Sequence, residues 1–145
     1  MTMIRNVLRF KGHGVYSVSP TATVYDAIKM MADKNVGSLL VMDGDKLVGI
    51  FTERHYARNV VLKGRTSPHT LVGEIMNPEV VCVSPDETVE ACMALMTEKR
   101  VRHLPVVDGA SVVGIVSIGD LVKRIIANEQ FTIHQLEGYI CGELH

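Results

Sequence analysis

Ser117 and Asp120, in the run Gly114-Ile115-Val116-Ser117-Ile118-Gly119-Asp120, stand three residues apart at the start of a helical stretch. With Ser117 as N-cap, the two side chains face one another across the first turn, with free backbone N–H groups between them. Such a corner can take an anion, because the N–H groups and the helix dipole favour phosphate and the serine hydroxyl can donate to it. The carboxylate beside it can accept from both hydroxyls of a ribose, in charge-assisted bonds worth about 1.5 to 3 kcal/mol each. Ser-x-x-Asp is equally a variant of the capping box, which stabilises a helix with no ligand at all. These residues alone leave both readings open.

Catalytic chemistry finds little footing. Gly114 and Gly119 flank Ser117 without the Gly-x-Ser-x-Gly spacing of a nucleophile elbow. The histidines at 13, 55, 69, 103, 134 and 145 form no i, i+4 pair, so a zinc site is not expected. Cys82, Cys92 and Cys141 lack C-x-x-C spacing and read as small buried hydrophobes rather than a disulfide framework. We expect no enzyme, no metal and no catalytic cofactor.

The elements that must position such a corner come from a chain of 145 residues, 47% apolar, which is one ordinary domain or two very small ones sharing a core. Fifteen basic and 16 acidic residues give a net charge of -1; with no Trp and 5% aromatics there is neither a counterion-releasing face nor a stacking platform, so nucleic acid is not an expected partner. The longest apolar runs, Ser38 to Met42 and Val80 to Val83, are strand-sized, against the roughly 18 residues of a membrane span. The first ten residues carry Arg5 and Arg9 and no apolar h-region, so no membrane and a cytoplasmic location are expected.

A shift of 65 positions lays Val15 to Val61 over Val80 to Ile126 without a gap, and 16 of the 47 pairs are identical. This is a tandem duplication. Each copy begins with a short apolar strand (Val15 to Val18; Val80 to Val83) that ends at Ser-Pro. Thr23 and Thr88 suit helix N-caps, and Val24, Ala27, Ile28, Met31 and Val89, Cys92, Met93, Met96 follow at i, i+3, i+4, i+7. Two strands joined by Asp-Gly turns come next, Leu39 to Met42 with Leu47 to Phe51 and Leu104 to Val107 with Val112 to Val116. Closing helices are expected near Glu53 to Leu62 and Ile118 to Ala127.

The expected fold is α+β, two β-α-β-β-α repeats packed about a pseudo-twofold axis because a unit of about fifty residues cannot bury both faces alone. Residues 1–14 form a lead-in, 15–63 the first repeat, 64–79 a linker with a short helix, 80–127 the second repeat and 128–145 a C-terminal helix or tail. Residues 3–8 and 71–76 read as short helices leading into each repeat. The packing should create two equivalent clefts, the usual setting of a small-ligand site.

The runs Gly-Ile-Val-Ser-Ile-Gly-Asp at 114–120 and Arg-Val-Arg-His-Leu-Pro-Val-Val-Asp at 100–108, with their first-copy counterparts, resemble the CBS domain family, as a tandem pair or Bateman module spanning Val15 to Ala127. The resemblance implies a regulatory module whose Ser/Thr-x-x-Asp segment binds an adenosine-containing ligand such as AMP, ADP, ATP or NAD. Asp120 would hold the ribose and Ser117 approach phosphate, with Ile118 and Gly119 between them; Arg102 and His103 would face the phosphates beside Leu104 and Pro105, and Val81, Cys82 and Val83 would flank the adenine. Read without the family, Arg102 is an ordinary solvated side chain and His103 a satisfied rim histidine.

The first copy departs from the pattern, with Thr52 keeping the hydroxyl while His55 stands where the aspartate would be. Neutral imidazole offers one donor and one acceptor where carboxylate accepts twice. Two unequal sites are therefore expected, the first resting on Thr52, Arg54 and Arg58 with Tyr16, Ser17 and Ser38, and with Gly37-Ser38 in place of Arg102-His103. An S-adenosylmethionine or NAD sensor and a ligand-free protein-interaction module are the alternatives. A homodimer and an unidentified protein target are the expected partners.

Overall fold

A computed structural model describes residues 2–128. The C-terminal helix or tail expected beyond residue 128, with Cys141, lies outside the described residues. The order is α1 (Ile4–Lys11), β1 (Ser17–Val18), α2 (Val24–Lys34), β2 (Ser38–Asp43), β3 (Lys46–Thr52), α3 (Glu53–Tyr56), α4 (Val72–Ile75), α5 (Val89–Lys99), β4 (His103–Asp108), β5 (Ser111–Ser117) and α6 (Ile118–Asn128). Both repeats of the expected α+β plan are present.

The central helices begin as their caps dictate: Thr23 Oγ1 accepts from the amide of Asp26 at 3.2 Å, and Thr88 Oγ1 from that of Ala91 at 3.1 Å. Each ends at a left-handed residue, Asn35 (φ 54°) and Arg100 (φ 55°). The hairpins turn at Gly44 and Gly109, whose φ values of 62° and 65° are available to glycine at no steric cost. β2 pairs antiparallel with β3, and β4 with β5, each ladder irregular at the same place, Val41/Met42 and Val106/Val107.

The first strands are not equivalent. β1 pairs parallel with β2, helped by the amide of Leu40 donating to the carbonyl of Tyr16. The strand expected over Val80 to Val83 is reduced to a single bridge between Val83 and Val106. Pro105 occupies the position of Leu40 and has no N–H to donate to Val81, the counterpart of Tyr16. The first closing helix also differs from expectation: after Tyr56 it widens into a π-turn over Ala57–Val61, with the amide of Leu62 reaching the carbonyl of Ala57.

The lead-in helices are exchanged between repeats. Ile4, Val7 and Leu8 of α1 are buried with Val89, Cys92, Leu104 and Val116 of the second repeat, whereas Val72 and Ile75 of α4 join Val24, Leu39 and Phe51 of the first. The backbone repeats the exchange. The amides of Ile4 and Arg5 donate to the carbonyls of Glu87 and Pro85, and those of Val72 and Gly73 to Ala22 and Pro20. Each half therefore carries an element from the chain segment before the other, which ties the two copies together. Leu8 packs against Gly114 and Met76 against Gly49, where a Cβ would sit 2.7 Å from Leu8 Cδ2 and 2.5 Å from Met76 Sδ.

Candidate functional site

Both closing helices start with a reciprocal clasp. In the second repeat the amide of Asp120 donates to Ser117 Oγ at 3.1 Å and the amide of Ser117 to Asp120 Oδ2 at 2.8 Å. In the first the amide of His55 donates to Thr52 Oγ1 at 3.3 Å, and the amide of Thr52 to His55 Nδ1 at 3.2 Å. His55 thus takes over the structural half of the aspartate's task, with Nδ1 unprotonated. The free N–H groups expected at this corner are mostly taken, since the carbonyl of Arg102 also accepts from Ile118 and that of Gly37 from Glu53.

A cleft of about 440 Å³ opens between the repeats, within the roughly 300 to 1,000 Å³ range of ligand pockets. The first repeat supplies Gly37, Ile50, Thr52, Arg54 and His55; the second supplies Arg100, Val101, Arg102 and His103; Asn77 comes from the linker. Among the described residues three arginines and one carboxylate, Glu53, line it, so the lining suits a multiply charged anion. Thr52 Oγ1, which accepts in the clasp, retains its own proton to donate.

Asp120 lines a separate cavity of about 410 Å³ with Lys11, Lys123 and Arg124. Lys11 Nζ lies 2.6 Å from Asp120 Oδ2, and their side chains are 31% and 18% exposed. Partial burial pushes the Asp120 carboxyl up, but the Lys11 ammonium and the Ser117 amide outweigh it and hold the group below its ordinary value. His103 sits between the two cavities electrostatically. Burial first and Lys11 next depress its imidazole, with Asp120 opposing and Arg102 adding to the depression.

The remaining expected residues stand elsewhere. Leu104 and Pro105 are core residues, Val83 is buried and Ser38 nearly so, so they can offer only backbone or a shielded hydroxyl. The backbone of Val83 and Pro105 is already engaged in the parallel bridge. Val81 is half-buried; Cys82, Tyr16, Ser17 and Arg58 are exposed, and none of the five lines either cavity. Cys82 departs from the buried thiol expected, whereas Cys92 is buried and its thiol is pushed up to about 11 by burial and then Glu87. No residue pattern pointed to Lys11, which reaches Asp120 from 109 positions away. Arg100 could have been found: it aligns with Asn35, a residue at home in the left-handed region.

Two measurements follow from this geometry. A left-handed arginine costs about 1 kcal/mol or more in backbone strain. Arg100→Asn is therefore expected to raise stability by about 1 kcal/mol in urea denaturation while weakening phosphate-bearing ligands severalfold. The second concerns pH. Burial, then Arg54 and Arg58, hold His55 below the ordinary value of 6.5, as burial and Lys11 hold His103. The unfolded chain therefore binds more protons below pH 6.5 than the folded one, and stability is lost as pH falls through that window. The melting temperature is expected to drop between pH 7 and pH 5, and less so in His55→Asn, whose amide oxygen can still accept from Thr52.

Among the described residues no helix is long and apolar enough to cross a membrane. The CBS domain family matches the chain twice, over residues 3–61 and 72–127. The mitochondrial CBS domain-containing protein CBSX3 of Arabidopsis thaliana is 38% identical over 97% of this chain and 73% of its own. A solved protein with CBS domains from Burkholderia ambifaria MC40-6 is 52% identical and superposes with a TM-score of 0.86, covering 91% of this chain and 99% of that one. The CBS domain pair of protein MJ0100, solved with 5-methylthioadenosine and S-adenosyl-L-methionine, is 25% identical with a TM-score of 0.77 over 89% of this chain and 98% of its own. With two matched copies, exchanged lead-in helices and a cleft between the halves, the chain belongs to the CBS domain family.

Proposed function

We propose that this protein is a regulatory module, not an enzyme, that senses adenine nucleotides (AMP, ADP or ATP) in its inter-repeat clefts and passes on the bound state by a conformational or oligomeric change. The observation that carries the reading is the cleft in which Arg54 of one repeat meets Arg100 and Arg102 of the other. A phosphate chain held there would bond both halves at once, so the ligand would stabilise one arrangement of the repeats by linkage. In the second cavity Asp120 would hold the ribose, with Ser117 beside it.

Sensing of S-adenosylmethionine is the second reading, favoured by the ligands of the MJ0100 pair. The arginine-rich lining speaks for phosphate over a sulfonium. For signal output, Val61 and Ile126 occupy equivalent places on the two closing helices and are 55% and 47% exposed, an apolar pair suited to a homodimer in the cytoplasm or to a protein target.

The test is native mass spectrometry of protein purified without added nucleotide, followed by thermal shifts with AMP, ADP, ATP, NAD and S-adenosylmethionine. Retention of a nucleotide mass, or a stabilisation that grows with phosphate number, is expected. Stabilisation by S-adenosylmethionine alone would replace the nucleotide reading with the second one.

A further inference from the structure

We infer that Lys11 makes the Asp120 cavity selective for adenosine ligands that carry phosphate, against uncharged or sulfonium-bearing ones; this rests on the reading of Asp120 as the ribose-holding group. Lys11 Nζ donates to Asp120 Oδ2 and to the carbonyl of Ile115, each at 2.6 Å. The 65-residue shift shows what this replaces. Ile50, the counterpart of Ile115, gives its carbonyl to the backbone amide of Asn77, so an ammonium in the second repeat stands where the first repeat uses a peptide N–H.

The ammonium has three protons, and two are placed by these bonds. The third has no partner among the described residues, so Lys11 can turn a donor toward the ligand while a ribose hydroxyl shares the carboxylate, whose Oδ2 takes both the ammonium and the Ser117 amide. Lys123 and Arg124 line the same cavity, which makes three cations around one carboxylate among the described residues. Arg124 Nε is buried without a hydrogen-bond partner among the described residues, its guanidinium lying 4.2 Å from the centre of the Phe10 ring. A diol that draws on Asp120 loosens the Lys11 pair and leaves this excess of positive charge unmet. Phosphate oxygens restore the balance and give Arg124 an acceptor, whereas a sulfonium adds a fourth cation.

The experiment titrates ADP, adenosine and S-adenosylmethionine by calorimetry into full-length protein carrying Arg54→Ala, which weakens the other cleft, with and without Lys11→Met or Lys11→Arg. Lys11→Met is expected to weaken ADP about tenfold or more while leaving adenosine within about threefold, and Lys11→Arg to keep the preference for ADP. Equal weakening of ADP and adenosine by Lys11→Met, or no change in either, would overturn the inference and leave the ribose reading intact. If Asp120→Asn in the same background binds adenosine as well as its parent, the ribose reading itself fails and the inference goes with it. Lys11→Arg separates loss of charge from loss of the fold.

Discussion

Truncating Leu8 to alanine is expected to cost about 2 to 5 kcal/mol, at the upper part of that range, and to loosen the second repeat before the first. Leu8 is 1% exposed and lies within the cluster formed by Val89, Cys92, Leu104 and Val116, although it stands ahead of the first repeat in the chain. Its neighbour across the interface is Gly114, which has no side chain to move into the space left behind. Native-state hydrogen exchange should show β4, β5 and α5 losing protection while β2 and β3 keep theirs, and Val72→Ala should show the reverse. A double mutant adds a sharper check. Gly114→Ala alone places a Cβ 2.7 Å from Leu8 Cδ2 and should destabilise, yet in the Leu8→Ala background the same methyl fills the void. The two changes should therefore be strongly non-additive. Simple additivity, or loss of protection in β2 and β3 first, would show that α1 does not serve the second repeat.

The exchange of lead-in helices explains where sequence reasoning stops. Ile4, Val7 and Leu8 at helical spacing announce a buried face, but spacing carries no information about which surface covers it. Local signals fared better, because the cause and its effect lie within a few residues. Thr23 and Thr88 cap as their hydroxyls require, and the Asp-Gly pairs turn the hairpins where glycine takes a positive φ. The reduced first strand of the second repeat was not foreseen, because Pro105 breaks the pairing only through its place at the position of Leu40, whose amide donates to Tyr16 in the first repeat. The π-turn after Tyr56 has no comparable signal in its residues.

The candidate site divides in the same way. The Ser117–Asp120 and Thr52–His55 clasps are short-range and follow from residue types at fixed spacing. Which repeat's basic groups face which clasp is a long-range matter. Arg102 and His103 lie along the cleft with Thr52 and His55, while Asp120 looks toward Lys11 and Arg124, so the group of residues expected to act together is shared between two cavities. His103 lines the first of them, yet its imidazole is lowered by Lys11 and raised by Asp120, which line the second.

The largest expected effect on binding lies in the carboxylate itself. Asp120→Ala should weaken an adenosine ligand by about 2 to 4 kcal/mol, roughly 30- to 1,000-fold, through the loss of charge-assisted bonds to the ribose. The same change removes the clasp on the Ser117 amide, a loss of about 0.5 to 2 kcal/mol of stability, and leaves Lys11 without its partner. Asp120→Asn separates the two effects, because an amide oxygen still accepts from Ser117 while the charge that favours the diol is gone. It should keep most of the stability and lose most of the affinity. The converse change is His55→Asp, which gives Thr52 the acidic partner found in the second repeat and places a negative charge at a helix start, where it is favoured by about 0.3 to 1 kcal/mol. In the three-arginine cleft that carboxylate would pair with Arg54, Arg100 or Arg102 in the absence of ligand, so part of the gain in ribose binding offsets a lost ion pair. Calorimetry on His55→Asp should accordingly show tighter binding in the first cleft by less than Asp120→Asn loses in the second. Tighter binding in the first cleft of the unaltered protein, persisting in Asp120→Ala, would mean that phosphate contacts alone set the affinity and that the carboxylate is a helix cap.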